Sequence, residues 1–115
     1  MAFTELELRR YNKALQQYVE MRRPPPHIRH ELDLAYRISG QSVEIFEVRP
    51  SFPDPSSTVE EYVAKATYVR RAQEWRVYWK RADLKWHRYE PRPEVRSIDE
   101  FLSLIEEDEY CCFYG

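Results

Sequence analysis

The chain has 115 residues, of which 43% are hydrophobic and 33% are charged, and its formal net charge is −2. This length and balance predict one globular domain over residues 1–115 and exclude a largely disordered chain. Only two glycines occur, which excludes the glycine-rich loops that cradle phosphates and dinucleotides. The sequence has neither an apolar run of about 18 residues nor an apolar segment behind its N-terminal charges. We therefore expect a cytoplasmic protein that does not engage a membrane.

The first predicted element is a helix that begins at Thr4 and ends before Pro24. Thr4 and Glu7 stand three residues apart, the spacing of a capping box in which each side chain bonds the backbone amide of the other residue. The run of prolines that starts at Pro24 stops the helix because proline has no amide hydrogen to donate. One face carries apolar residues at helical spacing: Leu8, Tyr11, Leu15, Tyr18 and Val19.

The period of the hydrophobic pattern then changes to two, which predicts a hairpin of two strands. The first strand covers Leu32–Ile38, and the second covers Val43–Arg49 after a tight turn at residues 39–41. Ile45 and Phe46 are adjacent and point to opposite sides of the second strand. Either both faces of this strand are covered, or a bulge shifts the register near Phe46.

Three further strands are predicted after an exposed, mobile loop at residues 51–61. Their connections are short enough for hairpins, so the three strands should form an antiparallel meander. Two prolines, Pro91 and Pro93, are expected to end the sheet. The predicted strands cover residues 63–70, 75–81 and 86–90.

A second helix is predicted after Ser97, because Ser97 and Glu100 repeat the capping-box spacing. The aromatic tail at residues 108–115 should dock on the domain rather than fray. The order of elements predicts an α+β fold with an N-terminal helix, an antiparallel sheet of four to five strands (a hairpin, then a meander) and a C-terminal helix. The apolar stripe of the last helix comprises Ile98, Phe101, Leu102 and Ile105.

Residues 62–92 form a basic and aromatic block, with nine cations against three acids and all three tryptophans. Alternation along the fourth strand divides this block between two faces. We place the tryptophans on the core side, with Trp75 and Trp79 beside Val77, since a domain of this size needs large aromatic residues in its interior. The opposite side carries Arg76, Tyr78 and Lys80, which we predict as a contact patch.

Residues 93–115 are acidic, with seven acids against one cation. The acidic and basic segments could face each other within one molecule or across a homodimer, and either arrangement would hide the basic surface from nucleic acid. We therefore predict a non-catalytic protein-interaction module, with a homodimer or another protein as its partner. The alternative is nucleic-acid binding, because aromatic rings beside cations on a sheet can stack on bases and follow phosphates.

A less favoured alternative is a metal-dependent, nuclease-like hydrolase. Asp33 precedes the Glu47-Val48-Arg49 triplet by a hairpin's length, and Glu44 could add a third carboxylate. This requires the carboxylates of Asp33, Glu44 and Glu47 to converge; otherwise they are strand residues paired with neighbouring cations. His27 and His30 lack the spacing of a helical zinc motif. We predict no metal and no cofactor.

No catalytic set can be assembled from the remaining reactive residues. His87 and Glu90 stand three apart on a predicted strand, so their side chains should point to opposite faces. Cys111 and Cys112 are adjacent, and without further ligands nearby they are expected to be reduced thiols that pack at the C-terminus. We assign no catalytic residue.

The sequence resembles, over nearly its whole length, a known family in several segments, among them MAFTELEL, PPHIRHELDL, GQSVEIFEVRP, VAKATYV and RADLKWH. This family comprises small bacterial proteins and is catalogued as domain of unknown function 3024. The resemblance implies a bacterial cytosolic protein of about this length. The resemblance assigns no catalytic residues to this chain.

Overall fold

The computed structural model describes residues 3–115, in which two helices pack on one face of an antiparallel sheet. The predicted α+β architecture is confirmed. The helices are α1, Glu5–Arg22, and α2, Ile98–Glu107, and a short 3-10 turn lies at Pro26–Ile28. The strands are β1, Asp33–Ser39; β2, Ser42–Pro50; β3, Thr58–Val69; β4, Glu74–Lys80; β5, Trp86–Arg88; and β6, Glu94–Val95.

Helix α1 begins as its capping box predicts. The Thr4 hydroxyl accepts a hydrogen bond from the Glu7 amide at 3.2 Å, and the Glu7 carboxylate accepts one from the Thr4 amide at 2.8 Å. The helix ends at Arg22, before the prolines, and its apolar stripe is buried at Tyr11, Leu15, Tyr18 and Val19.

The strands follow one another in space in the order β1-β2-β3-β4-β5, and β6 lies beside β4. Every neighbouring pair is antiparallel, so the predicted hairpin and meander are confirmed. Gly40 links β1 to β2 with a φ of +59°, a value that favours glycine at the first central position of a type II′ turn.

A bulge, one of the two alternatives that the sequence left open for this strand, is present near Phe46. The register shifts between Ile45 and Phe46, whose partners on β3 are Ala64 and Tyr62, so Val63 is the extra residue. Val63 and Ala64 are both buried in the core, whereas Phe46 and Tyr62 share the opposite face. β2 itself alternates without interruption, so its two-sided pattern reflects apolar contacts on both faces: Ile45 lies in the core and Phe46 packs against Tyr62.

Two predicted boundaries in the sheet are wrong. β3 begins at Thr58, inside the predicted loop at residues 51–61, and pairs with β2 out to Pro50. This end of the hairpin extends beyond the core, so its mostly exposed side chains look like a loop in the sequence. The prolines also do not end the sheet: Pro93 still accepts a hydrogen bond from the Val77 amide at 2.9 Å, and β6 then pairs with β4.

The second helix is capped by Ser97, whose hydroxyl accepts from the Glu100 amide at 3.1 Å. The predicted capping box is only half formed, because the Glu100 carboxylate accepts from the Arg96 amide instead of the Ser97 amide. No helix within residues 3–115 is both long and apolar enough to cross a membrane.

The aromatic tail docks, as predicted. Asp108 ends α2 with a positive φ of 44°, and its carboxylate accepts hydrogen bonds from the amides of Phe113, Tyr114 and Gly115. Phe113 is buried against Tyr89, with 4.8 Å between the ring centroids. A single carboxylate therefore folds the tail back onto the core.

The core lies between the two helices and the inner face of the sheet. Several residues there have no exposed surface: Leu15, Val43, Ile45, Ala64, Ala66, Val77, Phe101 and Ile105. Two of them, Ala64 and Ala66, put small side chains at the middle of β3. Large rings from α1 and β4 fill the space between these alanines and the helices. Among them, Tyr11 and Trp75 are in edge-on contact, with 5.0 Å between the ring centroids.

Phe101→Ala should lower the free energy of unfolding by about 3–5 kcal/mol, because it leaves a cavity under α2. Urea unfolding followed by circular dichroism measures this loss. Leu6→Ala on α1, a residue that is 73% exposed, is the control and should change the value by less than about 0.5 kcal/mol. A Phe101 variant as stable as wild type would contradict the described core.

Glu7 should make the stability depend on acid pH. Its carboxylate also accepts two hydrogen bonds from the Arg70 guanidinium, at 3.0 and 3.2 Å, and these bonds lower its pKa from 4.5 to about 2. A carboxyl group whose pKa is lower in the folded state than in the unfolded state stabilises the fold at every pH above its unfolded-state pKa. This stabilisation is lost as the pH falls from the unfolded-state pKa to the folded-state pKa. Glu7→Gln should thus be less stable than wild type at pH 7, with the difference shrinking below pH 4.5 and vanishing near pH 2.

Urea titrations between pH 7 and pH 2 measure this difference. Glu5→Gln, an exposed residue on the same turn, is the matched control and should follow the wild type closely. A Glu7→Gln deficit that stays constant across the pH range would contradict the role of the carboxylate charge.

Candidate interaction face of the sheet

The side of the sheet away from the helices carries cations and aromatic rings, and we call it the outer face. Residues directly opposite each other on paired strands lie on the same face of the sheet. Lys65 lies opposite Tyr78, and Lys80 lies opposite Trp86, so all four side chains belong to the outer face. The predicted patch of Arg76, Tyr78 and Lys80 lies on this face. The cationic and aromatic residues on the outer face include Arg37, Phe46, Tyr62, Lys65, Arg76, Tyr78, Lys80, Trp86 and Arg88.

The tryptophans divide between the two faces, which corrects the prediction that all of them lie on the core side. Trp75 is buried and Trp79 packs partly against the core, as predicted. Trp86 instead lies on the outer face, because β5 pairs with β4 in the register that sets Trp86 opposite Lys80. The sequence shows the alternation within β5 but not the register that decides which side is inside.

The outer-face rings form a connected row. Phe46 lies 5.6 Å from Tyr62, and Tyr62 lies 5.6 Å from Trp86 in edge-on contact, measured between ring centroids. These distances are in the range in which aromatic pairs attract each other. The row crosses β2, β3 and β5 and gives the outer face an apolar base.

Cations lie over these rings. The Lys80 ammonium is 4.5 Å from the Tyr62 centroid and 5.4 Å from that of Trp86. The Lys65 ammonium is 5.1 Å from the Tyr78 centroid and 5.3 Å from that of Trp86. An ammonium within about 6 Å of a ring centroid is attracted to the negative face of the ring. Trp86 is thus within reach of two lysines.

The cations of the outer face differ in whether an acid neutralises them. Arg37 binds Glu60 through two hydrogen bonds, at 2.8 and 3.1 Å, and Arg88 binds Glu94 at 2.7 Å. By contrast, within residues 3–115 no carboxylate lies at ion-pair distance from three other cations: Lys65, Arg76 and Lys80. Rings rather than acids hold the two lysines in place.

The acidic C-terminal segment reaches only the margin of the basic block. Arg88–Glu94 and Arg92–Glu100, at 2.7 and 3.2 Å, join the two segments. Helix α2 packs on the inner face, so its acids lie on the other side of the sheet from Lys65 and Lys80. Pairing within one molecule therefore holds for two arginines and not for these lysines.

The carboxylates of the hydrolase alternative do not converge. Asp33 accepts two hydrogen bonds from Arg23, both at 2.8 Å, and these bonds hold its pKa below the ordinary value. Glu47 pairs with Arg49 at 2.8 Å, while Glu44 stands three residues away and points to the other face of β2. No group of three potential metal ligands occurs in the described part of the chain, which includes His27 and His30.

His87 has a partner that the sequence reading missed. Its Nε2 lies 2.8 Å from the Asp83 carboxylate across the β4–β5 turn, and this contact lowers the pKa of Asp83. Asp83 also accepts from the Lys85 amide at 3.0 Å. The pair therefore closes a turn. The available signal was an aspartate in the predicted connection, four residues before a histidine on the next strand.

A second missed cluster joins the two helices to the tail. The Tyr18 hydroxyl lies 2.7 Å from that of Tyr114 and donates to Glu106 at 3.0 Å. Arg22 binds the same carboxylate at 2.8 Å and lies over the Tyr114 ring, 3.5 Å from its centroid. Burial raises the pKa of Tyr114 to about 12, so both phenols stay protonated at neutral pH. This cluster fastens the tail.

Cys111 and Cys112 are both free thiols. Cys111 is exposed and Cys112 is half-buried, and burial raises the pKa of the Cys112 thiol. A raised pKa leaves less of the nucleophilic thiolate at neutral pH. Cys112 is thus partly packed at the C-terminus, whereas Cys111 is exposed.

A groove of about 440 Å³ lies between the two helices. Ala14, Tyr18 and Leu102 line it, with acids at its rim. The rim carboxylate of Glu106 is already bound by Tyr18 and Arg22, so this group serves the fold. The outer face, with its unneutralised cations, is the stronger candidate for a binding surface.

An α+β domain with an open, cation-bearing sheet face is the class of protein that this geometry defines. The family model for domain of unknown function DUF3024 matches residues 3–115, and the chain belongs to that family. No curated protein and no solved structure is significantly similar to it.

Tyr114→Phe should lower the free energy of unfolding by about 0.5–1.5 kcal/mol, because the Tyr18 hydroxyl loses a half-buried partner. Thermal and urea unfolding measure the change. Tyr110→Phe removes an exposed hydroxyl from the same tail and should change the value by less than about 0.5 kcal/mol. Equal effects of the two substitutions would contradict the described cluster.

Proposed function

We propose that the chain is a non-catalytic interaction module that binds an acidic segment of a partner protein on its outer face. The observation that carries this proposal is the placement of the Lys65 and Lys80 ammoniums over rings, with no carboxylate at ion-pair distance within residues 3–115. Arg76 extends the same row of charge along β4.

The rings orient the two ammoniums without neutralising them. A ring attracts a cation through its quadrupole and carries no net charge, so each ammonium can still pair with an anion. The rings also exclude water from one side of each ammonium, which strengthens an ion pair formed there. A carboxylate supplied by a partner would complete both sites.

The outer face also offers a place for an apolar side chain. A pocket of about 280 Å³ lies at its margin, lined by Tyr62, Lys80 and Leu84 among others. Leu84, in the β4–β5 turn, is 77% exposed. Protein interfaces typically combine aromatic anchors with a polar rim. The favoured partner segment is therefore acidic and carries at least one large apolar residue.

Single-stranded nucleic acid is the second candidate, favoured by one observation. The acids of α2 lie on the other side of the sheet, so they do not hide the outer face as the sequence reading assumed. Rings and cations on an open sheet suit bases and phosphates. However, lysines already cover Tyr62 and Trp86, so a stacking base would have to displace them. This ranks nucleic acid second.

Lys80→Gln and Lys65→Gln should each weaken binding of an acidic, leucine-containing peptide about tenfold at low salt, since each removes one ion pair at a partly desolvated site. Fluorescence anisotropy with a labelled peptide measures the dissociation constants. Lys13→Gln, on the exposed side of α1, makes the same change in net charge and should leave binding unchanged.

An equal loss in all three variants would show that net charge alone drives binding, which contradicts the proposal. The same assay with a labelled oligothymidylate tests the second candidate. Binding of the oligonucleotide with a salt slope of about 0.7 per phosphate contact, without binding of the peptide, would favour nucleic acid.

A further inference from the structure

The two edges of the sheet are built differently. One edge is β5, which has three residues and is followed by Pro91. The other edge is β1, which has seven residues and contains no proline, lysine or bulge. Short strands, prolines, charged side chains and bulges are devices with which proteins stop an edge from pairing with another strand. β5 is protected by its length and by Pro91, whereas the charge in the middle of β1, Arg37, is bound to Glu60 on β3.

The hydrogen-bond pattern identifies which groups of β1 face the open edge. The Tyr68 amide donates to the Gln41 carbonyl at 2.8 Å, so Gln41 and the odd-numbered residues of β2 bond to β3. Even-numbered residues of β2 therefore bond to β1, and the register pairs them with odd-numbered residues there. The backbone groups of Leu34, Tyr36 and Ile38 consequently point away from the sheet.

One of these three amides is already satisfied. The Leu34 amide donates to the Asp33 carboxylate at 2.8 Å, which caps that end of the edge. Within residues 3–115, no such bond reaches the amides of Tyr36 and Ile38. Unpaired amides on an exposed edge are a template for another strand.

We propose that β1 of a second copy pairs antiparallel with this edge, about a two-fold axis at Tyr36. Tyr36 then lies opposite its own counterpart and exchanges two hydrogen bonds with it. The Ile38 amide of each copy donates to the Leu34 carbonyl of the other. All four open amides of the pair are satisfied, and the Leu34 amides keep their Asp33 caps.

Charge and hydrogen bonding select this register over its neighbours. An axis at Arg37 would place two arginines directly opposite each other, which destabilises a strand pair. An axis at Ala35 would require the Leu34 amide, which is occupied, and would leave Ile38 without a partner on the strand. With the axis at Tyr36, Arg37 faces the small Ala35 of the other copy.

The pairing is self-complementary, which favours a second copy over an unrelated strand. On the inner side, the apolar Leu34 meets Ile38 of the partner, and the two sheets join into one. The Arg37 side chain does not obstruct the edge, because it is bound along the outer face to Glu60. The β1 edge is separate from the row of lysines and rings on the outer face.

Sedimentation velocity over a dilution series tests the proposal. Wild type should show a reversible shift from 14.1 kDa to twice that mass, and high salt should not abolish it, because backbone bonds hold the pair. Ile38→Pro removes an edge-facing amide, a position where a strand tolerates proline, and should leave a folded monomer. A monomer at every concentration, or a dimer that dissolves in salt, would overturn the proposal.

If Ile38→Pro fails to fold, a matched pair of variants at Ala35 tests the same register. Ala35→Arg places an arginine opposite Arg37 of the partner, whereas Ala35→Glu places an acid there. The dissociation constant of the dimer should be at least about tenfold higher for Ala35→Arg than for Ala35→Glu. Equal constants, with circular dichroism showing both variants folded, would exclude this register.

Discussion

The pairing of β3 with β4 is the constraint on which the rest of the molecule depends. One side of the pair presents Ala64, Ala66 and Val77, which have no exposed surface, and the small alanines leave room for the rings that fill the space under α1. Alternation then assigns the residues between them, including Lys65 and Tyr78, to the outer face. A slip by one residue would bury the cations, so the buried face fixes the position of the charged one.

Rings, rather than acids, organise the charge on the outer face. Exposed ion pairs contribute little stability, and they also neutralise the cation that they hold. The lysines that lie over Tyr62, Tyr78 and Trp86 are held in position by rings, with no carboxylate of residues 3–115 at ion-pair distance. This makes the outer face a preformed surface for an anion, and it explains why aromatic residues are abundant where a helix does not cover them.

Much of the fold could be predicted because its signals are local. The capping box at Thr4 and the change of period at Leu32 each lie within a few residues of sequence, and both were confirmed. The adjacent apolar residues Ile45 and Phe46 left two alternatives open, and the register shift is present there. β6 was missed because two residues after a proline carry no periodic pattern. The first residues of β3, from Thr58, were missed because they are exposed on both sides and therefore show no alternation of apolar and polar residues.

The candidate site was less predictable, since it depends on contacts between distant segments. Arg76, Tyr78 and Lys80 could be grouped because they alternate on one strand. The position of Trp86 depends on the register of β5 against β4, and the tail cluster depends on Tyr18 meeting Tyr114 across 96 residues of sequence. No local pattern encodes such pairings.

The most direct test of the central claim is a two-dimensional NMR titration with an acidic, leucine-containing peptide. The largest shift changes should occur at the Trp86 indole and at the amides of Tyr78 and Lys80, with the resonances of α1 and α2 unchanged. Changes that cluster in the groove between the helices, at Ala14 and Leu102, or no changes at saturating peptide, would contradict the assignment of the outer face as the binding surface.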